Sequence, residues 1–414
     1  SNFVHCIYVH NGNIWVGTDN GGINKFSLRQ LKLDNIVNIP GDATSLSNGC
    51  VNATFVEPDG TLWVGTVDGG LNRRGAGEKT FTHFTTSNSP LTHNSVSTLT
   101  AADRILWIGT WGGGVYWLDM DNPDRLNRLE VQPQYARIIS HIGALAYDKL
   151  NNGLWIGSND GIFFYDSRSR KLLMPFEGCN LVRGCIGSLI DSNDRLWMGC
   201  ITGMRVINLR SRKKGKFSCD SYVYKLDNPD SRLIDKITSF CETRDSSIYI
   251  GSNGNGIYRL TGVHNGRMTF KCYTTQDGLA NNGVKGIVEG SYGRLWIATN
   301  NGLSVMNPKD EAFSNYGEVE GLLCNKFYWN AAVCEGNRIY LGSEKGLTSI
   351  NVDEMAISSA EKVVLTNLNV DNMPILSGSR FIDGDISTAK RITLHECDKS
   401  FELFFSTLRY DGDG

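Results

Sequence analysis

The chain has 414 residues, of which 40% are hydrophobic and 20% charged, and its formal charge at pH 7 is −2. This composition is ordinary for a packed globular protein, and the small charge provides no field that would attract nucleic acid or an anionic membrane. No apolar run is long enough to cross a bilayer, and the first residues lack the basic and apolar regions of a signal peptide. We therefore expect no nucleic-acid partner and no membrane contact within this chain.

An internal repeat is the main feature of the sequence. A pentapeptide such as Leu62-Trp63-Val64-Gly65-Thr66, followed by a glycine-containing turn, occurs eight times. Its aromatic residues are Trp15, Trp63, Trp107, Trp155, Trp197, Tyr249, Trp296 and Tyr340. The 42 to 52 residues between successive aromatics match the length of a four-stranded propeller blade.

Each repeat contains short segments that alternate apolar and polar residues, separated by Gly, Asn and Asp turns. This alternation predicts a four-stranded antiparallel meander, and one such sheet must stack on another to cover its faces. The fold class is therefore all-β, a β-propeller of seven or eight four-stranded antiparallel blades. We expect the six repeat tryptophans to pack between blades, with the Gly two residues later leaving room for the neighbouring sheet.

The repeats predict a propeller over residues 1–355. Its last unit has no clear fourth strand after Leu347–Asn351, and its first unit begins abruptly. Either eight blades form one ring, or seven do and the first unit belongs to a neighbouring propeller. Residues 361–414 lack the repeat but contain strand-like runs, which predicts an incomplete Ig-like β-sandwich domain.

The motifs resemble the two-component regulator propeller repeat family. The resemblance rests on the Leu-Trp-Ile-Gly-Thr pattern with its glycine turn, and on Tyr273–Asn282, which matches the Y-T-x-x-D-G-L-x-x-N link between blades. The segment Phe404–Tyr410 looks like the start of the tyrosine-named Ig-like domain that follows such propellers.

The resemblance implies the periplasmic sensor region of an inner-membrane hybrid two-component receptor of the Bacteroidetes type. The expected partner is an oligosaccharide derived from a polysaccharide. This chain is expected to be tethered to the membrane in the full protein and to pass its signal to a histidine kinase outside this chain. A homodimer would fit that role.

Candidate ligand contacts are residues that break the repeat at one end of the channel. If the first strand of each unit is innermost, the residues just before it surround one mouth of that channel. Tyr328 and Trp329 offer flat faces for a sugar ring. Hydrogen bonds could come from Asn94, His141, Arg183, Asp235 and Lys236. An acidic sugar would favour Arg183 and Lys236.

Trp111 breaks the repeat differently, because it stands in a glycine turn where other repeats carry Asp19 or Val67. We interpret it as a ligand contact, with packing between blades or a subunit contact as the alternatives.

Catalytic and metal signatures are not evident in the sequence. It contains no G-x-S-x-G elbow, no H-E-x-x-H pair and no phosphate-binding glycine loop. The acidic run Asp119–Asp124 fails as an EF-hand loop, because Pro123 stands at its third ligand position. We therefore expect no catalytic residue, metal or cofactor. A glycan lyase or hydrolase and a protein-interaction scaffold remain the alternative functions.

The 11 cysteines show no zinc-ligand spacing and no C-x-x-C pair. Several lie in strand-like runs, so we expect most of them to be small core residues. A disulfide between Cys179 and Cys185 is the alternative in an oxidising compartment.

Overall fold

The computed structural model describes residues 3–10, 13–19, 22–27, 33–47, 49–176, 183–223, 236–264, 267–354, 364–395 and 398–406. Contacts along the backbone divide the chain into two compact units, Ser1–Met355 and Ala356–Gly414. Among the described residues, helical structure is limited to short 3-10 turns, none of which approaches the length or apolar character needed to span a membrane. These turns are Pro133–Tyr135, Thr275–Asp277, Ser291–Gly293, Glu318–Glu320 and Val352–Glu354.

Four strands precede the main body of the first unit. They are β1 (Val4–His10), β2 (Asn13–Thr18), β3 (Gly22–Ser27) and β4 (Leu33–Ile36). The first three form a separate antiparallel sheet in the order β1-β2-β3. The fourth belongs to the last blade of the propeller.

Each of the first three blades is a four-stranded antiparallel meander. Blade 1 contains β5 (Val51–Val56), β6 (Leu62–Thr66), β7 (Gly70–Arg74) and β8 (Thr82–Phe84). Blade 2 contains β9 (Val96–Ala102), β10 (Ile105–Thr110), β11 (Gly114–Asp119) and β12 (Asn122–Arg128). Blade 3 contains β13 (Ile142–Asp148), β14 (Gly153–Ser158), β15 (Gly161–Asp166) and β16 (Lys171–Leu173).

The next three blades repeat that arrangement. Blade 4 contains β17 (Cys185–Ile190), β18 (Arg195–Cys200), β19 (Gly203–Lys213) and β20 (Lys216–Val223). Blade 5 contains β21 (Ile237–Glu242), β22 (Ile248–Ser252), β23 (Ile257–His264) and β24 (Arg267–Tyr273). Blade 6 contains β25 (Val284–Glu289), β26 (Leu295–Thr299), β27 (Leu303–Asn307) and β28 (Ala312–Tyr316).

Blade 7 is assembled from both ends of the first unit. It contains β29 (Phe327–Glu335), β30 (Arg338–Ser343) and β31 (Gly346–Asn351), with β4 as its outer strand. Ile36 pairs with Leu347, and Leu33 pairs with Ile350. The inner strands β5, β9, β13, β17, β21, β25 and β29 neighbour one another in that order, and β29 also lies against β5. The all-β propeller prediction is confirmed, and the closed ring has seven blades.

Packing between blades follows the repeat. Trp63 lies in one core with Val96 and Ile108 of the next blade. A Cβ added at Gly65 would lie 2.5 Å from Cγ1 of Val96, so only glycine lets the two sheets approach this closely. The repeat tryptophans of blades 1, 2, 3, 4 and 6 are all buried, as expected. Trp15 is half-buried instead, because its sheet lies outside the ring.

Buried carboxylates hold three of these indoles at their polar edge. Nε1 of Trp63 donates to Glu57 at 2.9 Å, and Nε1 of Trp197 donates to Asp191 at 2.8 Å. Trp155 donates to Asp148 at 3.2 Å in the same way. Each bond satisfies a buried donor that would otherwise destabilise the blade.

One pair of buried cysteines stands at the start of blade 4. Sγ of Cys185 lies 3.2 Å from Sγ of Cys200, and the two residues face each other across β17 and β18. Burial raises the pKa of the Cys200 thiol well above its ordinary value, so little thiolate forms in the folded protein. Cys179, the partner predicted for Cys185, lies outside the described residues.

We expect oxidative refolding to join Cys185 to Cys200, with two thiols oxidised and one glutathione disulfide reduced to two thiols. The folded protein should react slowly, because both thiols are buried. Peptide mapping without reduction after refolding in oxidised glutathione measures this bond. The Cys185→Ser variant is the control, and free alkylation of Cys200 in the oxidatively refolded wild type would contradict the prediction.

The second unit contains a small sheet in the order β33-β32-β34. Its strands are β32 (Val364–Val370), β33 (Met373–Pro374) and β34 (Phe401–Ser406). Leu368, Val370 and Ile382 form its buried core. The Ig-like sandwich assignment for this segment stays a prediction.

Candidate functional site

One end of the channel is built by a backbone contact that recurs in every blade. The residue after the second strand donates its amide to the carbonyl of a residue just before the inner strand. The donor and acceptor pairs are Val67–Cys50, Trp111–Ser95, Asn159–His141, Ile201–Gly184, Asn253–Lys236, Asn300–Gly283 and Glu344–Lys326. We call this ring of residues the mouth.

Trp111 and His141 lie together at the mouth between blades 2 and 3. They form an isolated β-bridge, and their rings meet edge to face with centroids 5.5 Å apart. Trp111 is 44% exposed, whereas the repeat tryptophans of the ring are buried. His141 is half-buried, and its Nδ1 is 2.8 Å from the hydroxyl of Ser140. This arrangement presents an indole face and one imidazole nitrogen to a ligand.

The other polar candidates have different environments. Arg183 and Lys236 are exposed, on blades 4 and 5, while Asp235 lies outside the described residues. Asn94 has a structural role, because its Oδ1 accepts a hydrogen bond from the amide of Thr86 at 2.8 Å. In the segment that links blades 5 and 6, Oδ1 of Asn282 accepts the amide of Thr275 in the same way, so this bond recurs between repeats.

The repeat alignment placed Tyr328 and Trp329 just before the inner strand of blade 7. In the structure, both residues lie within that strand. β29 begins at Phe327, and Lys326 holds the mouth position. Between Phe327 and Ala332 the strand bulges, with two more residues than the equivalent bulge between Val51 and Thr54. The Trp329 ring therefore lies against Lys285 of the neighbouring inner strand, whereas Tyr328 packs on the core between blades 7 and 1.

Asn330 ties this bulge to the far wall of the channel. It is held at φ +56°, a left-handed conformation that costs energy for a non-glycine residue. Its Nδ2 donates to the carbonyl of Gly143 at 2.8 Å and to that of Ser97 at 3.3 Å. Gly143 and Ser97 are on the inner strands of blades 3 and 2, so one side chain from blade 7 spans the channel.

Lys285 lies on the opposite side of the same bulge. It is 8% exposed, its Nζ is 4.1 Å from the centroid of the Trp329 ring, and it donates to Oδ1 of Asn253 at 3.1 Å. Burial lowers the pKa of Lys285 to about 8, since the uncharged form is favoured away from water. At pH 7 most of the molecules still carry the charge.

Sequence reasoning missed Lys285, Asn253 and Asn330. The available signal for Lys285 is a single cation within the otherwise apolar inner segment Val284–Val288. His93 was also missed, although its ring packs over Gly112 beside Trp111. No sequence signal indicates that Asn330 crosses the channel, because its acceptors are backbone carbonyls.

The ring and its mouth define the class of protein, a seven-bladed β-propeller whose channel is crossed by the side chain of Asn330. Residues 1–20 and 278–301 match the family model of the two-component regulator propeller. These two segments match the repeat of that family, which confirms the resemblance found in the sequence.

Among curated proteins, the chain is 24% identical over 327 residues to Histidine kinase P4 of Formosa agariphila. The match covers 76% of this chain but 23% of that protein. The chain therefore spans about a quarter of this relative's length.

Solved structures show the same fold. The extracellular domain of a protein assigned as a hybrid two-component system in B. thetaiotaomicron matches with a TM-score of 0.66 and 22% identity, over 97% of this chain and 52% of that one. A second such domain from that organism matches with a TM-score of 0.58 and 19% identity, over 98% and 54%. Virginiamycin B lyase from Staphylococcus aureus matches with a TM-score of 0.56 and 14% identity, over 78% and 99%.

Proposed function

We propose that this chain is the ligand-sensing propeller of a hybrid two-component receptor. In this proposal it faces the periplasm, binds an oligosaccharide derived from a polysaccharide, and passes the signal to a kinase outside this chain. The named relatives, a histidine kinase and extracellular domains of two-component systems, support the sensor role. The exposed Trp111 ring at the mouth supports an oligosaccharide as the ligand.

The mouth has the parts that sugar recognition requires. The apolar face of a pyranose can stack on Trp111, while His141 supplies a directional hydrogen bond. Arg183 and Lys236 add positive charge on the exposed rim. Because Asn330 spans the channel, a ligand that enters the mouth stops there and stays in contact with the inner strands.

A sensor needs saturable binding without turnover, whereas a lyase converts its ligand. The likeness to virginiamycin B lyase is one of fold, and it adds no catalytic residue to this chain. Among the described residues, no group of three His, Cys, Asp or Glu side chains is placed to hold a metal ion. The exposed indole of Trp111 and the adjacent imidazole of His141 fit the binding that a sensor requires.

The experiment is a thermal-shift screen of this chain against defined neutral and acidic oligosaccharides. A ligand that binds the folded state raises the Tm by mass action. At a hundredfold excess over Kd, it raises the free energy of unfolding by about 2.7 kcal/mol. We expect one ligand class to raise the Tm of the wild type and to lose that effect in Trp111→Ala.

Tyr292→Ala is the matched control, because Tyr292 is an exposed aromatic beyond the far end of an inner strand. It should respond to the ligand as the wild type does. Recovery of the intact ligand after incubation supports sensing, while cleaved product would favour the lyase alternative. A panel without any Tm increase would overturn oligosaccharide binding by this chain.

A further inference from the structure

The channel contains a buried cation, the ammonium of Lys285. No ion pair joins Lys285 to a carboxylate within the described part of the chain, and burial is the cause of its lowered pKa. A buried charge without a partner costs stability, so proteins seldom retain one unless it serves a purpose.

The contacts of the ammonium leave room for an acceptor. Lysine has three N–H donors, and Nζ of Lys285 uses one on Asn253 while a second side is covered by the Trp329 ring. At least one donor therefore lacks an acceptor among the described residues. The indole Nε1 of Trp329 is likewise a buried donor without a hydrogen-bond partner among the residues that the structure describes.

Two features of the fold hold this cation close to the mouth. Asn253 is itself a mouth residue, since its amide donates to the carbonyl of Lys236. The bulge that carries Trp329 is anchored across the channel by Asn330, which fixes the ring against the ammonium. The charge therefore lies just inside the rim, beside the space where the proposed ligand would bind.

We propose that Lys285 is the anion-binding residue of this propeller, and that its ammonium holds a carboxylate or sulfate group of an acidic sugar entering the mouth. This inference rests on the proposed sensing function and specifies its ligand class. The Trp329 ring acts as a positioning group, because a cation over an aromatic face has less freedom to turn away. Exposed Arg183 and Lys236 would contribute only long-range attraction, which salt screens.

The test is calorimetric titration with sodium glucuronate, sodium sulfate and glucose at constant ionic strength. We expect glucuronate and sulfate to bind the wild type, and glucose to bind at least about tenfold more weakly. Lys285→Met should weaken glucuronate binding about 10- to 100-fold, the usual loss for one hydrogen bond to a charged group. Lys285→Gln is a second variant that retains a polar group, and it should show the same loss.

Lys309→Met is the matched control, because Lys309 is an exposed lysine of the same blade in the turn between β27 and β28, at the opposite end of the blade from the mouth. It should bind glucuronate as the wild type does. If glucuronate and sulfate fail to bind the wild type, or bind Lys285→Met equally well, the anion site is overturned.

The two proposals fail in different ways. An oligosaccharide that raises the Tm of wild type and Lys285→Met equally would leave sensing intact and overturn the anion site. Glucuronate binding that depends on Lys285, with no oligosaccharide raising the Tm, would support the anion site and overturn oligosaccharide sensing.

Discussion

A chain that begins at residue 38 is expected to lose the cooperative closure of the propeller, because it lacks β4. Leu33 packs on the core between blades 6 and 7, and Ile36 packs on the core between blades 7 and 1. Losing these two half-buried side chains should lower the free energy of unfolding by roughly 2–4 kcal/mol. The exposed edge of β31 would also become a site for aggregation.

A chain that begins at residue 30 is the matched control. It removes the separate β1-β2-β3 sheet but keeps β4, so its ring should unfold with nearly the stability of the parent chain. Urea denaturation followed by far-UV circular dichroism compares the two truncations. Equal stability of the two chains would contradict closure by β4, and a collapse of the residue-30 chain would show that the first sheet stabilises the ring.

Lys285→Met is expected to stabilise the folded protein at pH 7 while it removes anion binding. Methionine fills a similar volume without a charge to bury. Burial lowers the pKa of Lys285 in the folded state from its ordinary 10.5 to about 8. This shift sets an upper limit on the gain in unfolding free energy. After subtracting the lost contacts with Trp329 and Asn253, we expect a gain of roughly 1–3 kcal/mol.

The sign of the pH dependence follows from that lowered pKa. Below pH 8 the lysine is charged in both states, so the folded wild type bears the full cost of burial. Between about pH 8 and 10.5 the unfolded state binds more protons than the folded state, so the stability contribution of Lys285 rises with pH. The advantage of Lys285→Met should therefore shrink as the pH is raised.

Urea denaturation of wild type and Lys285→Met at pH 7.0 and 9.5 measures this difference. Lys309→Met should match the wild type at both values, because its charge is exposed. A destabilised Lys285→Met, or an advantage that stays constant with pH, would show that the ammonium is not penalised by burial.

Much of the candidate site escaped sequence reasoning for one physical reason. The mouth positions follow from the repeat, which placed His141 and Lys236 at the start of inner strands. The bulge in β29 does not follow from the repeat. Its two extra residues place Trp329 against Lys285 and Tyr328 against the core between blades 7 and 1. An insertion is visible in a sequence only when the repeat around it is regular, and here the flanking motif varies.

The sequence by itself determined the blade and its packing, since alternation, turn residues and the Trp–Gly spacing act over a few residues. It could not choose between seven and eight blades, because closure pairs Ile36 with Leu347 across almost the whole ring. The contacts of Asn330 across the channel and the burial of Lys285 are likewise products of tertiary structure. Both depend on which inner strands face each other across the channel, and a linear pattern contains no measure of that distance.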